Sequence, residues 1–228
     1  MATYKEINSA GIQNFSSDPG NPINGQVWYN TGSSTLKVAE VITTGSWATG
    51  GNLNSGRARL AGAGTQTAGL AFGGFSPYTA TEEYNGSAWT TVNNMGSGRQ
   101  SLAAAGTQTA GLGFGGSGPA GPSSTRVATE EYDGTNWTNG GNMGTGRYAL
   151  SGCGTQTAAL GFAGSSTPPF TFLNATEEYN GSSWTAGGNM GSSLYFKAGA
   201  GTQTAGLAFG GGYPNTTATE EYNGTAWT

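Results

Sequence analysis

Eight of the twelve side-chain carboxylates in this 228-residue chain sit in four Glu-Glu-Tyr triplets. These are Glu82-Glu83-Tyr84, Glu130-Glu131-Tyr132, Glu177-Glu178-Tyr179 and Glu220-Glu221-Tyr222. Paired carboxylates are the raw material of general acid–base catalysis and of calcium sites. In an extended strand, however, successive side chains point to opposite faces, so the two glutamates of a pair cannot serve one site. Calcium needs about 6–8 converging oxygens, and no Asp-rich loop supplies them. The expectation is structural: one glutamate of each pair meets an arginine and the other faces water. Arg57, Arg99 and Arg147 recur in the right register, and Leu194 takes that place in the last copy. The chain has no histidine, so the commonest general base and metal ligand is missing. Its single cysteine, Cys153, stands where the other copies carry Ala63, Ala105 and Ala200, and it reads as a small core residue. We expect no enzyme: no catalytic residue, no metal site and no cofactor.

The triplets are spaced by a repeat, and the repeat must position them. Gly-Thr-Gln-Thr-Ala begins at Gly64, Gly106, Gly154 and Gly201, about 45 residues apart. Trp47, Trp89, Trp137, Trp184 and Trp227 keep the same beat. Within the copy from Arg99 to Thr138, Arg99–Ala105 and Ala110–Phe114 form two segments, small and apolar, around Gly106-Thr107-Gln108-Thr109. Thr129–Tyr132 and Thr135–Thr138 then flank Asp133-Gly134. Asn-Gly or Asp-Gly between such runs signals a hairpin with a type I′ turn. Each copy therefore reads as four antiparallel strands, a to d, one blade of a β-propeller. Inner strands must be small where blades converge, and outer strands fill the widening gap with aromatics. Trp47, Trp89, Trp137, Trp184 and Trp227 are expected to pack blade against blade, together with Tyr84, Tyr132, Tyr179 and Tyr222.

The fold class is all-β: a kelch-like propeller of four-stranded antiparallel blades, about five in number, with an irregular N-terminal segment. Residues 1–26 form an attachment segment or a first strand. Residues 27–228 form the propeller, with blades near 27–50, 57–90, 99–138, 147–185 and 194–228, the first one degenerate. In that first blade, Val27–Asn30 and Leu36–Ile42 read as strands and Ser46–Thr49 as strand d. A closure by a partner chain, or a continuation in a longer protein, is the alternative to five full blades.

Composition narrows the function classes. The chain holds 43 glycines and 8 prolines, but they fall at fixed places in the repeat, so they mark order rather than low complexity. Charged residues make up 9% and the net charge is −4, which supplies no basic patch for nucleic acid. No apolar run is long enough to insert into a membrane, and the first residues lack the apolar core of a secretory signal.

A double glycine closing an apolar strand, followed by a tyrosine and then a tryptophan, resembles the kelch motif from about residue 57 to 228. Two departures are the short Tyr84-to-Trp89 spacing and Ala163-Gly164 in place of Gly-Gly. The repeats Gly-Thr-Gln-Thr-Ala-Gly-Leu-Ala-Phe-Gly-Gly and Thr-Glu-Glu-Tyr-Asn-Gly-Ser-Ala-Trp-Thr more specifically resemble kelch-like virion proteins of tailed bacteriophages, marine ones above all. So does the opening, Asp18-Pro19 followed by Gly25–Asn30 and Thr35–Val38. The resemblance implies a structural subunit of a virion, a tail-fibre or appendage component, made in the host cytoplasm. Its implied partners are other virion subunits, further copies of itself, and a host surface glycan or protein. A carbohydrate-binding adhesin and a free kelch-type interaction module are the alternative readings.

Function is expected where the copies differ. The b–c connections diverge in length and carry Phe75, Tyr78, Arg126, Phe170, Phe172 and Tyr213. In a meander, b–c and d–a connections share one face, so this variation gathers there as a candidate ligand or partner surface.

Overall fold

The computed structural model describes residues 13–18, 27–38, 48–121, 124–166, 169–212 and 215–228. Its named elements are all β-strands. Two compact units divide the chain, Met1–Thr49 and Gly50–Thr228. In the first, β1 (Gln13–Phe15) pairs in parallel with β2 (Val27–Asn30), which pairs antiparallel with β3 (Thr35–Val38). The Asp18 carboxylate ties this unit together. It accepts from Trp28 Nε1 at 3.2 Å, Asn30 Nδ2 at 2.6 Å and Lys37 Nζ at 3.1 Å. The bond from Asn30, then those from Lys37 and Trp28, hold its pKa below the usual carboxylate range. Of the expected first-blade strand d, Ser46 and Trp47 lie outside the described residues.

The second unit repeats one sheet four times. The first sheet is β4 (Ala61–Thr65), β5 (Ala68–Phe72), β6 (Thr81–Tyr84) and β7 (Trp89–Val92). The second is β8 (Ala103–Gly106), β9 (Gly111–Phe114), β10 (Thr129–Tyr132) and β11 (Trp137–Asn139). The third begins with β12 (Ser151–Gly154) and β13 (Ala159–Phe162). A small hairpin, β14 (Ser165–Ser166) with β15 (Thr171–Phe172), then leads to β16 (Thr176–Tyr179) and β17 (Trp184–Ala186). The fourth is β18 (Ala198–Thr202), β19 (Ala205–Phe209) and β20 (Thr219–Tyr222), with a Tyr222–Trp227 bridge in the fourth-strand place. All neighbours within these sheets are antiparallel. The first strands β4, β8, β12 and β18 lie beside one another in succession, and among the described residues the array does not close into a ring.

The c–d hairpins differ from expectation. Only the glycine of each Asn-Gly or Asp-Gly has a positive φ, for example +93° at Gly86 and +90° at Gly134. The loops are four residues long, because Tyr84 pairs directly with Trp89. The preceding residue keeps a negative φ because its side chain makes an Asx turn. Asn85 Oδ1 accepts the N–H groups of Ser87 and Ala88, both at 3.0 Å, and Asp133 repeats this with Thr135 and Asn136.

The sheets are held to one another by an aromatic inserted into a notch. Phe72, Phe114 and Phe162 are fully buried, and each meets the tryptophan of the following sheet. Ring centroids are 4.8 Å apart for Phe72–Trp137, 4.8 Å for Phe114–Trp184 and 5.0 Å for Phe162–Trp227. Trp137, Trp184 and Trp227 also donate Nε1–H back to Thr81, Thr129 and Thr176 of the sheet before, at 2.9–3.0 Å. Each of these tryptophans therefore serves two sheets. Trp89 stacks on Tyr84 of its own sheet at 5.1 Å and has no phenylalanine from an earlier sheet among the described residues.

This asymmetry predicts unequal costs. Trp137→Ala should destabilise by about 3–5 kcal/mol, the usual range for a large core truncation. Trp89→Ala should cost clearly less. Denaturant unfolding of the two variants beside the parent chain measures both.

Candidate functional site

The residues best equipped for chemistry are occupied in holding the sheets. The first glutamate of each triplet is buried against a cation. Glu82 pairs with Arg57 at 3.1 Å, Glu130 with Arg99 at 2.8 Å and Glu177 with Arg147 at 2.6 Å. Each arginine also donates Nη1–H to a backbone carbonyl, as Arg99 does to Ala128 at 2.7 Å. Burial draws Arg99 down to about 10, with Glu130 opposing, and lowers Arg57 and Arg147 in the same sense. The same glutamates accept the backbone N–H groups of the segment entering their sheet. Gly96 and Ser97 donate to Glu130, and Gly144 donates to Glu177. In the fourth copy the arginine position is Leu194, and the cation is supplied three residues later by Lys197, 3.2 Å from Glu220. Burial works to raise the Glu220 carboxyl, but the bonds from Ser192, Gly191 and Lys197 outweigh it and hold the carboxyl low.

The second glutamate, expected to face water, does so in the fourth copy, where Glu221 is exposed, but not in the first three. Tyr132, Tyr179 and Tyr222 reach back to Glu83, Glu131 and Glu178 of the preceding sheet, with O···O of 2.8 Å for the first. The carboxylates are half-buried there, and a phenol facing from the next sheet is what a period alone does not reveal. Burial first, and the bond to the carboxylate second, push Tyr179 and Tyr222 up to about 12 and Tyr132 upward as well. The glutamine of each Gly-Thr-Gln-Thr turn was not singled out by the sequence, yet it clamps the sheets. Gln108 Nε2 donates to the carbonyls of Gly69 at 3.1 Å and Tyr84 at 2.8 Å, and Gln156 and Gln203 do the same one and two sheets on. Cys153 is buried, with its thiol pushed up to about 11 by desolvation. Among the described residues no three His, Cys, Asp or Glu side chains converge to hold a metal.

Two of the exposed aromatic side chains, Phe75 and Phe170, lie on the b–c connections. Their ends adjoin the d–a segments: Met95 N–H donates to Thr79, Met143 to Val127 and Met190 to Asn174. Phe75 is exposed and meets Tyr78 edge-on at 5.6 Å. Phe170 is 64% exposed, and Arg126 is exposed beside Gly118. Phe172 instead stacks on Tyr195 of the next repeat at 4.8 Å, and Tyr195 meets Phe196 at 4.7 Å. Tyr195 and Phe196 belong to no motif of the repeat: the third copy has Tyr148 at the place of Tyr195, but the first two have Ala58 and Gln100 there, and Arg59, Ser101 and Ala149 stand at the place of Phe196. Tyr213 lies outside the described residues. The aromatic residues thus form separate spots along one edge rather than one pocket.

A groove of about 520 Å³ opens elsewhere, on the first sheet, lined by Leu53, Leu60, Gly62, Gly69, Tyr84 and Trp89 among others. At the opposite end of the array Phe209 is 41% exposed, although its counterparts Phe72, Phe114 and Phe162 are fully covered.

No protein-family model matches this chain, and no curated protein matches it either.

Two outcomes follow from the buried contacts. Arg99→Met should cost about 3–5 kcal/mol, because it strands the buried Glu130 carboxylate; thermal or urea unfolding reads this directly. Tyr179→Phe should cost about 1.5–3 kcal/mol near neutral pH, as for a hydrogen bond to a charged group. Between pH about 10, where an ordinary tyrosine ionises, and about 12, the unfolded chain sheds the Tyr179 proton while the folded one keeps it. The parent therefore loses over that window the stability that Tyr179 supplies, a loss the variant lacks, while the losses through Tyr132 and Tyr222 are common to both. The gap between their urea midpoints should narrow from pH 9 to 12.

Proposed function

We propose that this chain is a non-enzymatic structural subunit of a bacteriophage virion, a kelch-like propeller element of a tail fibre or appendage. The observation that carries the non-enzymatic part is the occupation of the recurring ionisable side chains at the three interfaces between sheets. Glutamate, arginine and tyrosine of the repeats bond one another or the backbone, within a sheet or across two. The propeller reading is supported by the succession of small-residue first strands β4, β8, β12 and β18 along one side of the array. The virion setting rests on the resemblance of the repeats and of the Asp18-to-Val38 opening to phage virion proteins. Low charge suits a protein embedded in an assembly, since few ions need to be desolvated at its contacts.

The b–c edge is the surface this role would present, either to a neighbouring subunit or to the host. A carbohydrate-binding adhesin is the second reading, favoured by one observation. Phe75 and Phe170 are large, exposed and flanked by Pro77 and Pro169, and rigid aromatic platforms suit the apolar face of a sugar ring.

Immunogold labelling of particles purified by density gradient from a producing lysate tests the virion role. Gold on the tail or an appendage is the expected result; a chain that stays at the top of the gradient overturns it. A version with residues 117–126 and 165–174 shortened, run beside the parent on host cells and a glycan panel, tests the second reading. Saturable binding that the shortened chain loses places the ligand on the b–c edge, whereas equal binding by both removes that edge from consideration.

A further inference from the structure

The contacts between consecutive sheets have a direction. Three side-chain bonds recur, and in each the later sheet donates to the earlier one: Tyr to Glu, Trp to Thr, and Gln to two carbonyls. A backbone ladder runs the same way. Ser101 N–H donates to Arg59, Ala149 to Ser101 and Phe196 to Ala149, through residues that share a φ of 51° to 57°. One main-chain bond runs in reverse, from Gly74 to Arg99 and its equivalents. The array therefore ends on two unlike faces. The first sheet keeps the receiving half of the contact: Tyr84, Trp89, Gln66, the Arg59 N–H and the groove. The fourth keeps the inserting half: Phe209, Leu207, Thr219, Glu221 and the Phe196 carbonyl.

Both halves are open. Thr81, Thr129 and Thr176 are buried, but Thr219 is exposed, as are Phe209 and Glu221. In the groove, a Cβ built on Gly62 would meet only the Leu70 carbonyl, at 3.5 Å. At the equivalent Gly152 and Gly199 it would strike the rings of Phe114 at 2.4 Å and Phe162 at 2.8 Å. A Cβ on Gly69 likewise meets only its own sheet, whereas on Gly111 it would lie 2.6 Å from Leu70 of the sheet before. Among the described residues, the groove is an inter-sheet notch with the ring left out.

We infer that these faces are the two halves of one self-association interface, and that the fourth sheet of one copy docks on the first sheet of another. The occupant is a second copy of this chain because the three internal interfaces already show the same groups making the same fit. Phe209 would enter over Gly62 and Ala71 against Trp89. Tyr84 would meet Glu221, Trp89 would meet Thr219, and Gln66 would meet the carbonyls of Gly206 and Tyr222. Donors meeting donors would disfavour a pairing of like faces, so the contact is head-to-tail, and a heterologous contact of this kind builds a ring or an extended chain. The inference stands on the sheet geometry and is independent of what the b–c edge binds.

The test uses two single variants of the full chain, Phe209→Arg and Gly62→Arg. Phe209 is already exposed and Gly62 opens into space, so both should keep the circular dichroism and unfolding midpoint of the parent. By sedimentation velocity the parent should form species larger than a monomer as its concentration rises. Each variant alone should stay monomeric, because each copy lacks one half of the contact. An equimolar mixture should give a dimer and nothing larger, since one good groove meets one good Phe209. A parent that is monomeric at about 100 μM, well above a micromolar Kd, overturns the inference, as does a mixture in which no dimer forms.

Discussion

The constraint on which this structure depends is that no sheet can bury its own phenylalanine. A four-stranded sheet whose first two strands are mostly glycine and alanine has no depth, so the rings of Phe72, Phe114 and Phe162 reach zero exposure only by entering the next sheet. That sheet must then be notched to receive them. A Cβ on Gly113 would come within 2.7 Å of the Phe72 ring, and one on Gly161 within 2.8 Å of Phe114. The glycine content is thus a packing requirement: backbone and ring approach closely, and the tryptophan closes the notch from the outer side. Stability in such an array is shared between neighbours, as in other repeat proteins where each unit relies on the adjoining interface.

The part of this that a sequence can express is whatever each copy does within itself. The period, the four strands, the Asx-bearing turns and the meeting of Arg57, Arg99 and Arg147 with the glutamates all follow from residues of one copy. The part it hides is the stagger between copies. Glu83 and Tyr132 are partners across two sheets, and nothing in either copy alone shows which carboxylate a phenol will meet. The same blindness covers Gln108, which reads as a turn residue until the carbonyls of Gly69 and Tyr84 are in place. The short parallel pairing of β1 with β2 escaped because a three-residue strand outside any repeat carries no pattern to read.

The third and fourth copies show how one departure accommodates another. At Gly73 a Cβ would meet the Arg99 carbonyl at 2.8 Å and Leu102 Cδ2 at 3.0 Å, and at Gly115 the Leu150 side chain is as close. Ala163 holds the same left-handed conformation, φ 58°, with a side chain. The leucine that would crowd it is, in the following copy, Lys197, whose chain turns away to Glu220. Leucine and cation have exchanged places between 194 and 197. The exchange preserves the ion pair and removes the branched side chain that crowds Gly73 and Gly115 in the other copies.

Variation on the b–c edge is possible because its consequences are confined. Whatever the length of the connection, it opens and closes on the same bond: Gly73 to Ala80, Gly115 to Ala128, Ala163 to Ala175 and Gly210 to Ala218. Beyond that bond the strands resume the same register, as Phe72–Thr81, Phe114–Thr129 and Phe162–Thr176 pair alike. An insertion there leaves the notch, the tryptophan and the glutamate pairs undisturbed, and its loop-closure cost rises only slowly with length. The opposite ends of the strands have no such freedom, since the Gly-Thr-Gln-Thr turn is fixed by the two carbonyls its glutamine must reach. A protein built this way can change what it touches along one edge while the contacts that propagate the array stay constant. For that reason the differences between copies, rather than the residues they share, point to what the surface meets.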